Sequence, residues 1–187
     1  MISRVVFSGS GGQGIITAAI VFAEAAVYHE GLESTQTQSY GPEARGGAAR
    51  SDVIVATEPI RFPKVLQPNI LVALTQTAYD KYAWIVRPGG IVIIDSHNVK
   101  SRSRINARLA EMDFTGTVTE RLGTKMPTNM AVIGSLAAIV DYMALESLEK
   151  VIQTRFDERF RDLNMNALNL GFEMANAQKK ERSFTVF

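Results

Sequence analysis

Residues 2–29 read ISRVVFSGSGGQGIITAAIVFAEAAVYH, and this stretch decides the fold. Residues 2–8 are a short apolar run rich in β-branched side chains, which predicts a strand. Gly9-Ser10-Gly11-Gly12-Gln13-Gly14 follows as a glycine loop. From Ile15 to about His29 the composition turns to Ala, Ile, Val, Phe and Glu, which predicts a helix closing near Gly31. Strand, glycine turn and helix in that order open an α/β unit.

The rest of the chain continues the alternation. Residues 32–37 and 48–57 are expected as strands, and residues 39–47 (SYGPEARGG) as an irregular loop too rich in Gly and Pro for regular structure. Residues 70–74 (ILVAL) and 91–95 (IVIID) are continuous apolar runs, as in strands buried on both faces. A short helix over 77–86 and a turn over 87–90 separate them. Residues 105–112 are expected as a helix and 115–119 as a short strand. Residues 129–143 are apolar nearly all round, which predicts a buried helix. Leu148, Ile152, Phe156 and Phe160 form a stripe at helical spacing, and Leu168, Phe172 and Ala175 suggest one more helix.

This pattern predicts an α/β three-layer sandwich, Rossmann-like, with a largely parallel sheet and a helical C-terminal third, built as one domain over residues 1–187. The link from Thr57 to Ile70 is too short and proline-broken for a helical crossover, so the sheet is open to being mixed.

Composition narrows the function. Hydrophobic residues make up 46% of the 187 and charged residues 21%, ordinary for a soluble protein. A net charge of +1, from 20 basic and 19 acidic side chains, leaves no footprint for nucleic acid or an anionic membrane. There is no cysteine, which excludes disulfides, thiol nucleophiles and a cysteine-held iron–sulfur cluster in this chain. His29 and His97 have no metal-ligand spacing. The first residues do not read as a signal peptide and no apolar run reaches membrane-spanning length, so a cytoplasmic location is expected.

The glycine loop satisfies GxGxxG between a strand and a helix, the context that motif needs. Its glycines permit a tight turn, and the following helix start offers N–H groups to an anion. Three readings remain open: a packing turn, a site for a phosphate-bearing group such as coenzyme A, or an NAD or flavin site. The last wants an acid at the end of the second strand, and Glu33 falls at its beginning. In the second loop Tyr40, Glu43 and Arg45, with Arg50 following, offer either a fork for an anion or internal contacts. Asp95-Ser96-His97 lacks a serine elbow and reads as a capped loop. Met126, Met130 and Met143 are expected as core filler, and Trp84 in a core or interface.

FSGSGGQGI, SYGPEARGGAARSDVIV, NILVALTQTAYDKY and TNMAVIGSLAAIV together resemble the gamma subunit of 2-oxoacid:ferredoxin oxidoreductases, over roughly residues 2–178. The second loop looks closer to the 2-oxoglutarate or branched-chain enzymes than to the pyruvate enzymes, and the 2-oxoglutarate type is favoured. The resemblance implies a hetero-oligomeric enzyme that converts a 2-oxoacid (2-oxoglutarate, else pyruvate or a branched-chain acid) and coenzyme A to acyl-CoA and CO2, passing electrons to ferredoxin. It implies alpha, beta and delta partner subunits carrying thiamine diphosphate, magnesium and 4Fe-4S clusters, with this chain inactive alone and contributing structure and a coenzyme A region. An isolated chain could pair with itself. Gly9, Gly11, Gly12, Gln13 and Gly14 match the family's first motif. Tyr40, Gly41, Pro42, Glu43, Arg45, Gly46 and Gly47 match its second, and Asn129 lies in a third. These are the residues expected at a ligand or subunit contact; none is an acid, base or nucleophile for the reaction. The competing reading is a stand-alone nucleotide- or flavin-binding regulatory protein.

Overall fold

The computed structural model describes residues 1–39, 48–101 and 105–181. Six strands form one sheet: β1 (Ile2–Gly9), β2 (Glu33–Ser39), β3 (Ala49–Ala56), β4 (Ile70–Ala73), β5 (Ile91–Asp95) and β6 (Arg108–Met112). Their spatial order is β2-β3-β1-β4-β5-β6. Strands β1, β4, β5 and β6 pair in parallel, and β3 runs antiparallel to both β1 and β2. The sheet is therefore mixed, as the short link before Ile70 allowed. Because β3 is reversed, it ends at the edge where β4 begins, with Ala56 opposite Ile2. No helical crossover is needed there.

The helices are α1 (Ile15–Tyr28), α2 (Gln76–Tyr82), α3 (Phe114–Leu122), α4 (Thr128–Ile139), α5 (Leu145–Arg155) and α6 (Glu158–Glu181). The pleat of β1 sends Val5 and Phe7 to one face and Val6 to the other. On the first face α1, α3, α4, α5 and α6 bury the larger core around Phe22, Phe114, Met130 and Leu136. On the second, α2 and the link before β4 bury Tyr79, Tyr82, Val65 and Ile94. All twelve residues of α4 are buried, which explains its lack of a polar side. Among the described residues no helix is long and apolar enough to cross a membrane.

Several expectations are corrected. The helix expected over 105–112 is strand β6, and the strand expected over 115–119 is helix α3. Ala, Leu, Glu and Met in RLAEM favour a helix locally, but β6 completes the parallel ladder on β5, pairing Ile91 with Arg108 and Asp95 with Met112. Asp113 then caps α3, accepting from the Gly116 N–H at 2.8 Å. Within α3 the Thr119 hydroxyl donates back to the Thr115 carbonyl at 2.7 Å, so these threonines are accommodated in a helix. The Leu148–Phe160 stripe is split between α5 and α6, because Phe156 is extended. Met130 and Met143 are core residues, whereas Met126 is 67% exposed and Trp84 76% exposed.

Helix α4 stops at Ile139, short of the expected Met143, and the chain turns so that Tyr142 can dock. The Tyr142 hydroxyl donates to Ser3 Oγ at 2.8 Å, and its ring meets Phe22 edge-on at 6.4 Å. Burial pushes the Tyr142 phenol up to about 12, with the Ser3 hydroxyl pulling the other way, since it can turn to donate to the phenolate, and Asp141 adding to the rise. The unfolded chain loses that proton near pH ~10, while the folded chain still holds it. Stability is therefore intact below about pH 10 and falls as pH rises through about 12, by on the order of 2 kcal/mol. Urea midpoints at about pH 8 and about pH 11.5 should show this loss in the wild type and a smaller one in Tyr142→Phe.

Candidate functional site

Strand β1 delivers the glycine loop to the carboxyl end of the sheet. Residues Val5 to Ser8 pair along Ile70 to Ala73, so β4 ends beside the loop. After β1 the chain turns to α1 on one face, and after β4 to α2 on the other. The crevice between β1 and β4 is thus a topological switch point, where open α/β sheets place ligands.

Gln13 closes the loop from within. Its Oε1 accepts from the Ser10 N–H at 2.7 Å, and its Nε2 reaches the Leu74 carbonyl at 3.5 Å. A Cβ on Gly9 would press on Gln13 Oε1 and lie 2.9 Å from Ile15 Cδ1, so a side chain there would displace the Gln13 latch. Gly14 opens α1 at φ 68° and lies against Asn129, whose Nδ2 donates to the Gly14 carbonyl at 3.2 Å. Asn129 is 7% exposed and sits in the first turn of α4. The first and third sequence motifs therefore meet, joining the starts of two helices. Above Gly11 and Gly12 nothing lies within 4 Å of where a Cβ would stand. That face of the loop is open.

It opens into a cleft of about 510 Å³. One wall is Ser10 to Gln13 with Leu74; the second is Asn98 and Thr115; the third is the turn Thr124-Lys125-Met126 with Thr128. Lys125 is the one charged side chain among these lining residues. Helices α1 and α4 begin at the cleft with neither a side-chain cap nor an acid in the first turn, whereas α2 and α3 are capped by Thr75 and Asp113. The α1 start leaves its first N–H groups without a capping side chain and carries a partial positive charge, whereas at α4 the Thr128 and Met130 N–H groups already donate to the Lys125 and Pro127 carbonyls at 3.2 and 2.9 Å. A cleft whose one charged lining side chain is a lysine, with an open glycine turn at the α1 start, suits a phosphate or carboxylate.

The second wall is held by Asp95, which sequence reasoning treated as loop capping. Its carboxylate is fully buried and accepts from the His97 and Thr115 N–H groups and from the Asn98 and Thr115 side chains. The His97 ring faces Asp113 instead, Nδ1 to Oδ1 at 3.3 Å. Arg50 spends its fork inside the fold, on Asp52 at 2.6 and 2.9 Å and on the Val65 carbonyl at 2.7 Å, with Tyr82 beneath it. Tyr40, Gly41, Pro42, Glu43, Arg45, Gly46 and Gly47 lie outside the described residues. Their anchors are described: Ser39 pairs with Arg50, and Arg50 with Ser8, at the glycine-loop end of the sheet. Glu33, the acid for a dinucleotide reading, lies at the opposite end, level with Ala56 and Ile2. Strand β3 also separates β2 from β1. The structure thus removes the geometry by which a Rossmann site holds a ribose.

The sequence model of the family described as pyruvate ferredoxin/flavodoxin oxidoreductase matches residues 4–174. The 2-oxoglutarate synthase subunit KorC of Methanocaldococcus jannaschii is 39% identical over 170 residues, spanning 90% of this chain and 91% of the relative. Ketoisovalerate and pyruvate oxidoreductase subunits match at 29–31%. The keto/oxoacid ferredoxin oxidoreductase gamma subunit from Geobacter sulfurreducens superposes with a TM-score of 0.85 at 36% identity, covering 94% of this chain and 99% of its own. The 2-oxoglutarate:ferredoxin oxidoreductase from Magnetococcus marinus, solved with 2-oxoglutarate, coenzyme A and succinyl-CoA bound, shares the fold. Its TM-score is 0.86 at 21% identity, and this chain spans 33% of its length. The chain belongs to the pyruvate ferredoxin/flavodoxin oxidoreductase family, as a gamma subunit of the 2-oxoacid:ferredoxin oxidoreductases.

Proposed function

We propose that this subunit serves a 2-oxoglutarate-type ferredoxin oxidoreductase and that its cleft takes the phosphate-bearing part of coenzyme A. The uncapped α1 start at an open glycine loop, beside Lys125, carries the ligand reading. Identity is higher to a 2-oxoglutarate synthase subunit, at 39%, than to the pyruvate and ketoisovalerate subunits, at 29–31%, and this supports the substrate class. Coenzyme A bound to the structural neighbour from Magnetococcus marinus supports the same ligand.

In this reading the complex joins the 2-oxoacid and coenzyme A into acyl-CoA, releases CO2 and passes two electrons to ferredoxin. Thiamine diphosphate, with its magnesium, supplies the decarboxylation chemistry and 4Fe-4S clusters carry the electrons, all within alpha, beta and delta partner subunits. This chain's part is binding and orientation. Gly11 and Gly12 let the ligand approach the backbone, Gln13 and Asn129 hold the loop and helix starts in place, and Lys125 neutralises phosphate charge. Arg45 is assigned to the same ligand, because the strands that anchor its loop end beside the glycine turn.

The test uses complex purified through a tag on this subunit. Ferredoxin should be reduced with coenzyme A and 2-oxoglutarate faster than with pyruvate or branched-chain 2-oxoacids. Lys125→Ala should raise KM for coenzyme A about fivefold to tenfold and flatten its salt dependence. An unchanged KM would remove the cleft from coenzyme A binding.

A further inference from the structure

Strand β2 is an edge of the sheet, and among the described residues no strand pairs with its outer side. Exposed edges are normally blunted by brevity, lysine, proline or a bulge, because their unpaired N–H and C=O groups template another strand. None of these devices is present in β2. It reads ESTQTQS, runs for seven residues, and pairs with β3 in unbroken register from Glu33 opposite Ala56 to Ser39 opposite Arg50. The other edge, β6, is shorter at five residues, and α6 reaches it, with Gln178 Nε2 donating to the Glu111 carbonyl at 2.7 Å.

Helix α1 adds a second observation. A helix on the outside of an α/β layer normally turns a charged side to water. In α1 (IITAAIVFAEAAVY) the one charged residue is Glu24, and Arg155 holds it at 2.7 Å. Ile16 and Ile20 are half-buried, and Val27 and Tyr28 are 43% and 72% exposed. Between α1 and β2 lies a groove of about 190 Å³. Ile20, Ala23, Val27 and Tyr28 line it from the helix, with Glu24 beside them, and Ser34 and Gln36 from the strand. The bare edge and the apolar side of the helix are thus one continuous surface.

We propose that this surface joins two copies of the chain, β2 to β2 antiparallel, about a two-fold axis through Gln36 and normal to the sheet. Opposed residues in an antiparallel ladder turn their main-chain groups alike, so the axis falls on a residue and not between two. Gln36 is the centre that opposes all seven residues. Glu33 then faces Ser39, Ser34 faces Gln38, Thr35 faces Thr37, and Gln36 faces its own copy. No like charges meet, and the threonine pairs suit cross-strand contact. An axis normal to the sheet keeps both α1 helices on one face, where the Ile16, Ile20, Val27 and Tyr28 side of each covers that of the other. Such self-complementarity is what an isologous interface requires. Strands β3 and β1 separate this edge from the cleft, so the inference is independent of the ligand bound there.

The test begins with light scattering on the purified chain, which should be a dimer at tens of micromolar. Gln36→Lys and Gln36→Glu each set two like charges opposite one another and should raise the dimer Kd about fivefold or more. Mixed together, they should recover a heterodimer as tight as the wild type. Tyr28→Lys, at an exposed position that leaves the fold intact, should weaken the dimer too. The chain has no cysteine. Gln36→Cys should therefore give a disulfide-linked dimer on mild oxidation, since opposed Cα atoms lie about 4.5–5.5 Å apart. Glu33→Cys, placed opposite Ser39, should not. Circular dichroism verifies that each variant is folded. A monomeric wild type, a dimer indifferent to the Gln36 and Tyr28 variants, or charge variants that fail to complement one another overturns the proposal. A monomer that Gln36→Lys releases from the complex would mean that another subunit's strand takes this edge, and it overturns the proposal as well.

Discussion

Gly171→Ala and Gly134→Ala should each lower the melting temperature of the chain by about 6–12 °C, from a loss on the order of 3 kcal/mol. Both glycines lie inside helices, where alanine is otherwise better by about 1 kcal/mol. Tertiary packing reverses that preference. A Cβ on Gly134 would overlap the carbonyl oxygen of Leu168, and one on Gly171 the carbonyl oxygen of Ala131. Each obstacle is backbone in the facing helix, which cannot rotate away as a side chain could. Helices α4 and α6 cross with each glycine against the other's main chain. One methyl must push the whole crossing apart, and α4 is buried along its full length. Thermal unfolding followed by circular dichroism measures the shift. A change smaller than about 1 kcal/mol in both variants would mean that the crossing yields easily.

Gly14→Ala should damage stability and ligand binding together. The residue sits at φ 68°, a conformation costing an L-residue about 1–2 kcal/mol. A Cβ would also drive into the Asn129 side chain, the clamp between the starts of α1 and α4. The expected result is a loss of about 2–3 kcal/mol and a rise of tenfold or more in KM for coenzyme A. Adding Asn129→Ala removes the two nearest atoms of the obstacle but not the backbone cost. The pair should therefore be less unstable than the sum of its singles. Gly11→Ala provides the contrast, since nothing lies within 4 Å of its Cβ position. It should leave stability within about 0.5 kcal/mol and still raise KM for coenzyme A, because the methyl occupies the open face of the loop. Equal unfolding midpoints for Gly14→Ala and the wild type would refute the strained, clamped turn.

Local sequence was enough for the opening strand, glycine loop and first helix, because all three depend on neighbours within a few residues. The runs 70–74 and 91–95 were equally legible, being apolar on both faces of a central sheet. The short, proline-broken link before Ile70 left the sheet open to being mixed, and the fold shows β3 as the reversed strand. The family was legible too, since GGQG and the later SYGPEARGG form a spaced pair more specific than either glycine motif alone.

Tertiary structure decided what depends on distant partners. RLAEM became a strand because β5 offered it an open ladder, and TGTVT a helix because Asp113 capped it. Gly134 and Gly171 look like weak points in their helices until the α4–α6 crossing shows that nothing larger fits. Asp95 reads as an ordinary loop acid until the fold shows it fully buried and accepting from the Asn98 and Thr115 side chains. Asn129 stands 115 positions from Gly14 in the sequence, and only the fold brings its amide to that carbonyl. The sequence by itself determined the local elements, since backbone preference and apolar periodicity act over a few residues. The cleft was decided by tertiary structure, because a close approach between two main chains leaves no periodic mark on either.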